Sequence, residues 1–171
     1  MSCCVTGMIH PVWDMSEVEN LVYFSEPFND QDTYDNWKQY YGYNFSIGEQ
    51  ADYRSSQPSC QTEIINMLEE HIGQLKNVGC SWYRMQPGDM LPYHQDKYVS
   101  YCNYYGVEQK DVYRILVLLQ DWKPGFLLEV GKRAIADYSA GTYVMWNNDT
   151  PHMAGNLGFE PRYTLQITAT K

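Results

Sequence analysis

The sequence has no Cys-x-x-Cys pair, no run of lysine and arginine, and no apolar stretch longer than Ile115–Leu119. Each absence excludes a class. The cysteines number five, an odd count; without paired spacing they read as reduced thiols, not as a disulfide framework or zinc cluster. Five apolar residues fall far short of the roughly 20 that a membrane-spanning helix needs. The N-terminal residues, MSCCVTGMIHPVWD, carry no basic segment leading into an apolar one, so no signal peptide is expected. A soluble cytoplasmic protein follows as the expectation, with no membrane partner. Positive charge is also scarce: 12 Lys and Arg stand against 21 Asp and Glu, a net charge of −9. An acidic surface repels phosphate backbones, so no nucleic-acid partner is expected.

There is likewise no internal repeat, low-complexity tract or linker, and 171 residues suit a single domain. What the chain has in quantity is tyrosine. Sixteen Tyr and five Trp raise the aromatic share to 15%, which favours pleated, half-buried surfaces. Residues 19–24 read as a short strand. Asn29–Tyr41 reads as a surface helix with an Asn/Asp cap, and residues 43–59 as loop. Pro58 and Ser59 open a helix over 60–75, whose Ile64, Leu68, Ile72 and Leu75 share one face. Asn77–Gly79 is expected to end it.

Beyond residue 80, short apolar runs recur between turn signals: 81–85, 112–119, 126–130, 134–138, 142–146 and 163–170. Such spacing predicts a mainly β fold, a jelly roll or double-stranded β-helix with an N-terminal helical region packed on it. Residues 1–78 would form the support and 79–171 the core.

His94 and Asp96 are two residues apart. On an extended segment both side chains point to one side, towards a common point. His152 follows 58 residues later, after the turn at 147–150. Two imidazoles and one carboxylate on one face of a metal suit Fe(II) chemistry with open positions opposite. The pair alone is weak. With four His and 11 Asp, chance supplies such a spacing about one time in four. Arg162 adds weight. It opens the last apolar strand ten residues after His152 and shares a strand face with Thr164, so a fork of donors and a hydroxyl stand together.

The pattern resembles the Fe(II)/2-oxoglutarate-dependent oxygenase superfamily over roughly residues 80–170. It is similar, more loosely, to the prolyl-hydroxylase-like branch, through Tyr83 ahead of the His-x-Asp pair. The resemblance implies that His94, Asp96 and His152 ligate iron. Arg162, Thr164 and Tyr83 would hold 2-oxoglutarate. The reaction would consume O2 and 2-oxoglutarate, release succinate and CO2, and hydroxylate a C–H bond of a small-molecule or peptidyl substrate. Thr168 stands where the nucleic-acid demethylase branch carries a second Arg.

Other residues keep two readings. Tyr83 and Trp146 read first as core aromatics and second as a pocket wall. Arg114 opens an apolar run and needs a partner, either an acidic ligand or an internal carboxylate such as Asp111 or Glu129. The Tyr-rich segment 97–106 is placed to overhang the metal, with Tyr98 and Tyr101 as substrate contacts; an ordinary surface loop is the alternative. The rival function is a cupin-like non-enzymatic metal or small-molecule binder, and a zinc hydrolase is a third reading.

Overall fold

The computed structural model describes residues 4–28, 30–42 and 46–171. Cys3, Asn29 and the start of the 43–59 loop lie outside them. Eleven strands and four helices are present among the described residues. They run β1 (Val5–Met8), α1 (Met15–Glu19), β2 (Tyr23–Ser25), α2 (Gln31–Tyr41), β3 (Glu49–Ala51) and α3 (Gln61–Ile72). Then come β4 (Lys76–Met85), β5 (Met90–His94), α4 (Val99–Tyr105), β6 (Val112–Leu118) and β7 (Phe126–Val130). The chain closes with β8 (Arg133–Ala134), β9 (Thr142–Asn147), β10 (His152–Asn156) and β11 (Arg162–Thr170).

The strands form two antiparallel sheets. Seven follow the order β1-β9-β6-β11-β4-β3-β2, and four follow β5-β10-β7-β8. This is the jelly roll that the strand spacing predicts. Alternation on β11 sorts its side chains. Leu165, Ile167 and Ala169 pack with Trp82, Ile115, Val117 and the α3 residues Ile64 and Leu68. Arg162, Thr164, Gln166 and Thr168 therefore face the other way, into the space between the sheets. There Leu116, Leu118, Leu128, Val144 and Trp146 form a second apolar cluster.

Several boundaries differ from the sequence expectation. Helix α3 stops at Ile72, where Gly73 takes a left-handed φ of 86°, so Leu75 is buried outside the helix. Asn77–Gly79 does not end a helix but lies inside β4, held by pairing with β11 and bulged where Asn77 adopts φ 54°. The 43–59 loop contains β3, and β1 pairs with β9, so the N-terminal strands extend the larger sheet. The strand expected over 134–138 shrinks to β8, because Asp137 turns at φ 53° and sends the chain back toward β9.

Gly141 shows how tightly β1 is held. It adopts φ 92°, and a Cβ there would run into the Ile9 carbonyl oxygen, while Ile9 N–H donates to the Gly141 carbonyl at 2.9 Å. Gly141→Ala is expected to cost about 2–4 kcal/mol in urea unfolding, the strain and the clash adding.

Candidate metal centre

His94 closes β5 and His152 opens β10, and these are cross-strand partners in the smaller sheet. Sheet register alone thus brings the two rings to a centroid separation of 4.4 Å. Each ring is oriented the same way. His94 Nδ1 lies 2.7 Å from the Pro92 carbonyl, and His152 Nδ1 lies 3.1 Å from the Thr150 carbonyl. A carbonyl only accepts, so both Nδ1 atoms carry the proton and both Nε2 lone pairs are free. Asp96 sits just past the end of β5. Its Oδ1 is 3.5 Å from His94 Nε2 and its Oδ2 is 3.8 Å from His152 Nε2. The three ligand atoms lie within 4.8 Å of one another. Burial pushes the His152 imidazole down to about 4, a neutral donor at physiological pH.

The strand argument for Asp96 needs correcting. Asp96 does not share a strand face with His94; it is in a loop, and Arg114 from the opposite sheet positions it. Arg114 Nη2 and Nε donate to Asp96 Oδ2 at 3.0 and 3.3 Å, and Nη1 donates to Thr168 Oγ1 at 2.9 Å. Register again sets this up, since Arg114 faces Thr168 on β11 and Trp146 on β9. Burial alone would raise the Asp96 carboxyl, but Arg114 and the two imidazoles outweigh it and hold the group well below the usual carboxylate range. Neither Asp111 nor Glu129 is the partner of Arg114.

Aromatic rings close the site. Phe28 and Trp37 stand edge-on to His94 at 5.4 and 5.6 Å, and Trp146 packs 5.0 Å from His152. Trp146 is both wall and core, and its buried indole N–H has no partner among the described residues. In front of the triad lies a cavity of about 740 Å³, whose lining includes Glu26, Tyr83, Tyr98, Arg114 and Gln166.

The 97–106 segment folds as helix α4 instead of a plain loop. Tyr98 and Gly106 flank it in left-handed conformation, at φ 48° and 65°. Tyr98 and Tyr101 both line the cavity, but only Tyr98 has a free hydroxyl, buried and without a partner among the described residues. Tyr101 Oη donates to the Asn77 carbonyl at 2.7 Å, which ties α4 to the bulge of β4.

Arg162 and Thr164 sit at the start of β11 on the same interior face as Gln166 and Thr168, and unlike those two they do not line the cavity. Arg162 is 2% exposed. Its Nη1 donates to the Leu127 carbonyl at 2.8 Å, while Nε and Nη2 are buried with no partner among the described residues. The Tyr138 hydroxyl lies alongside. Thr164 is buried on the same face, opposite Tyr83 in the register. Tyr83 itself donates to the Ile47 carbonyl at 2.7 Å, so its hydroxyl hydrogen is committed to the protein.

Two residues with no sequence motif support this arrangement. Asn156, fully buried, donates to the Met85 and Glu160 carbonyls at 2.8 Å and accepts from Gly158 N–H at 3.0 Å. It clamps the turn that delivers Arg162. Asn156→Ala is expected to lower unfolding free energy by about 2–4 kcal/mol, since three partners lose a bond in a dry place. Glu26 follows β2 and lies beside the Tyr83 hydroxyl; burial raises its carboxyl above the ordinary 4.5. A raised folded-state value means stability that is present at low pH and lost as pH rises through it. Glu26→Gln should therefore melt like the wild type below pH 4.5 and higher than it near neutrality, measured by melting curves across pH.

No protein-family profile matches the sequence, and no curated protein matches it. Solved structures do. A prolyl-4-hydroxylase from Pseudomonas putida is similar over 91% of this chain and 96% of its own, at 14% identity and a TM-score of 0.52. A cupin domain from Schizosaccharomyces pombe is similar over 74% of this chain and 66% of its own, at 12% identity and a TM-score of 0.44. A predicted oxalate decarboxylase from Thermotoga maritima covers 72% and is covered over 81%, at 12% identity and a TM-score of 0.43. The fold is a double-stranded β-helix. At these identities the likeness concerns architecture, and what the β-helix does must be argued from its own residues. No helix is long and apolar enough to cross a membrane.

Proposed function

We propose that this protein is an Fe(II)- and 2-oxoglutarate-dependent dioxygenase of the hydroxylase type. The observation that carries this reading is the Arg162 guanidinium: buried, with Nε and Nη2 lacking a hydrogen-bond partner among the described residues and no carboxylate to meet them. A buried cation with unsatisfied donors is costly unless a ligand completes it. A carboxylate brought to its open donors would do so.

The residues present suit both groups. Two imidazoles whose Nδ1 atoms face backbone carbonyls, leaving Nε2 toward the site, and one carboxylate form a donor set for iron. Arg162, with Thr164 on the same face, would take the distal carboxylate of 2-oxoglutarate. When bound, iron and 2-oxoglutarate supply the oxidising power that inserts one oxygen atom of O2 into a C–H bond, with succinate and CO2 released. The chain does the rest. The Pro92 and Thr150 carbonyls hold the imidazoles in one tautomer, and Arg114 holds Asp96. Phe28 and Trp37 pack against the His94 ring and Trp146 against the His152 ring, fixing both. A cupin-like binder or a zinc hydrolase would share the triad but has no use for an unpartnered Arg162.

The test is anaerobic addition of Fe(II) and 2-oxoglutarate to the purified protein. The expected result is the weak visible charge-transfer band of the chelate, followed by succinate when O2 is admitted. Folded protein that gives neither band nor succinate would rule the proposal out.

A further inference from the structure

The cavity in front of the triad has a distinctive charge pattern. Five of its lining residues besides histidine carry charge, and four are paired. Lys97 Nζ meets Asp30 Oδ2 at 2.7 Å, and Arg114 meets Asp96. The fifth, Glu26, takes part in no ion pair among the described residues, although it is partly buried. Beside it the wall is polar and unspent: Gln50, Ser81 and Gln166 line the same cavity, and no side-chain hydrogen bond engages them among the described residues. The Tyr98 hydroxyl is buried there beside Asp96 and Arg114, with no hydrogen-bond partner within the geometric limit among the described residues. A carboxylate taken out of water is stabilised chiefly by an opposite charge. Arg114 acts on Glu26 through space but is paired with Asp96, so no cation forms an ion pair with Glu26 among the described residues.

We infer that the primary substrate carries a cationic nitrogen, an ammonium or guanidinium on a stem of lysine or arginine length, which Glu26 receives inside this cavity. Gln50, Ser81 and Gln166 supply hydrogen bonds to the polar remainder, and Tyr98 covers the stem. The cavity volume of about 740 Å³ accommodates an amino acid or one side chain of a peptide. The proposal rests on the oxygenase reading only for what then happens to the substrate; the binding stands on the cavity.

Anaerobic calorimetric titration tests it. L-lysine and L-arginine are compared with their neutral isosteres norleucine and citrulline, each as the free amino acid and as the N-acetyl amide. At least one cationic compound is expected to bind more than about tenfold tighter than its isostere. The free and blocked forms tell a metabolite from a peptidyl substrate. Glu26→Gln should bring cationic and neutral members to near-equal affinity, and Glu26→Asp should keep the preference. Equal binding of the neutral isosteres, an undiminished preference in Glu26→Gln, or no binding of any cationic compound would each overturn the inference. The chelate band and succinate are read on the same preparation. A cation preference without them sinks the oxygenase reading alone, and the reverse sinks this one alone.

Discussion

Replacing Arg162 by methionine is expected to abolish the 2-oxoglutarate chelate band while making the ligand-free protein more stable. The two effects have one cause. In the protein without ligand, Arg162 brings a charge into the interior and satisfies only one of its donor groups well, at the Leu127 carbonyl. Burial is what pulls its guanidinium below its ordinary range, and only the Tyr138 hydroxyl opposes it. Methionine fills much of the same volume, beside the Met85 thioether already in contact, and removes the charge. Net of the bond lost at Leu127, urea unfolding should show a gain of about 1–3 kcal/mol. Binding runs the other way. Removing one member of a buried charge pair costs about 2–5 kcal/mol, so affinity for 2-oxoglutarate should fall by about 30-fold to several thousand-fold. Arg162→Lys keeps the charge but not the fork and should fall between. A purely structural Arg162 predicts the opposite stability sign: the methionine variant would unfold more easily.

Arg162 and Arg114 both stand out in the sequence as charged residues opening apolar strands, but their partners do not, because those come from other strands and loops. The jelly roll was legible because apolar runs and turn residues alternate along the chain. What stayed hidden depends on pairing between distant segments. Strand β10, His-Met-Ala-Gly-Asn, has little β propensity and forms because β5 and β7 flank it. That pairing, not the turn before it, sets His152 opposite His94. Asp96 looked like a strand residue because the two-residue spacing fits a strand; its partner, Arg114, is 18 residues on and in the other sheet. Glu26 carries no motif at all. Its interest comes only from the fold, which sets it on the cavity wall with no ion-pair partner among the described residues.

The Asp96–Arg114 pair gives the second large effect, best seen in a double-mutant cycle on metal-free protein. Arg114→Met leaves the Asp96 carboxylate enclosed without a cation, and Asp96→Asn leaves the guanidinium without an anion. Each should cost about 3–5 kcal/mol, because breaking a buried pair from one side strands the other charge. The double variant strands neither, and its loss should be clearly smaller than the sum, with a coupling energy of about 2–3 kcal/mol. Working without metal matters, since an added dication would itself supply a charge for Asp96. The geometry says why a cation is tolerated so close to a candidate metal site. Arg114 takes only Oδ2, and Oδ1 stays turned toward His94 Nε2 at 3.5 Å. The carboxylate is thereby aimed before any metal arrives, at the expense of a stability that rests on the pair being intact. Additive losses in the cycle would mean that Arg114 merely packs against Tyr98 and Thr168, and that something else holds Asp96 in place.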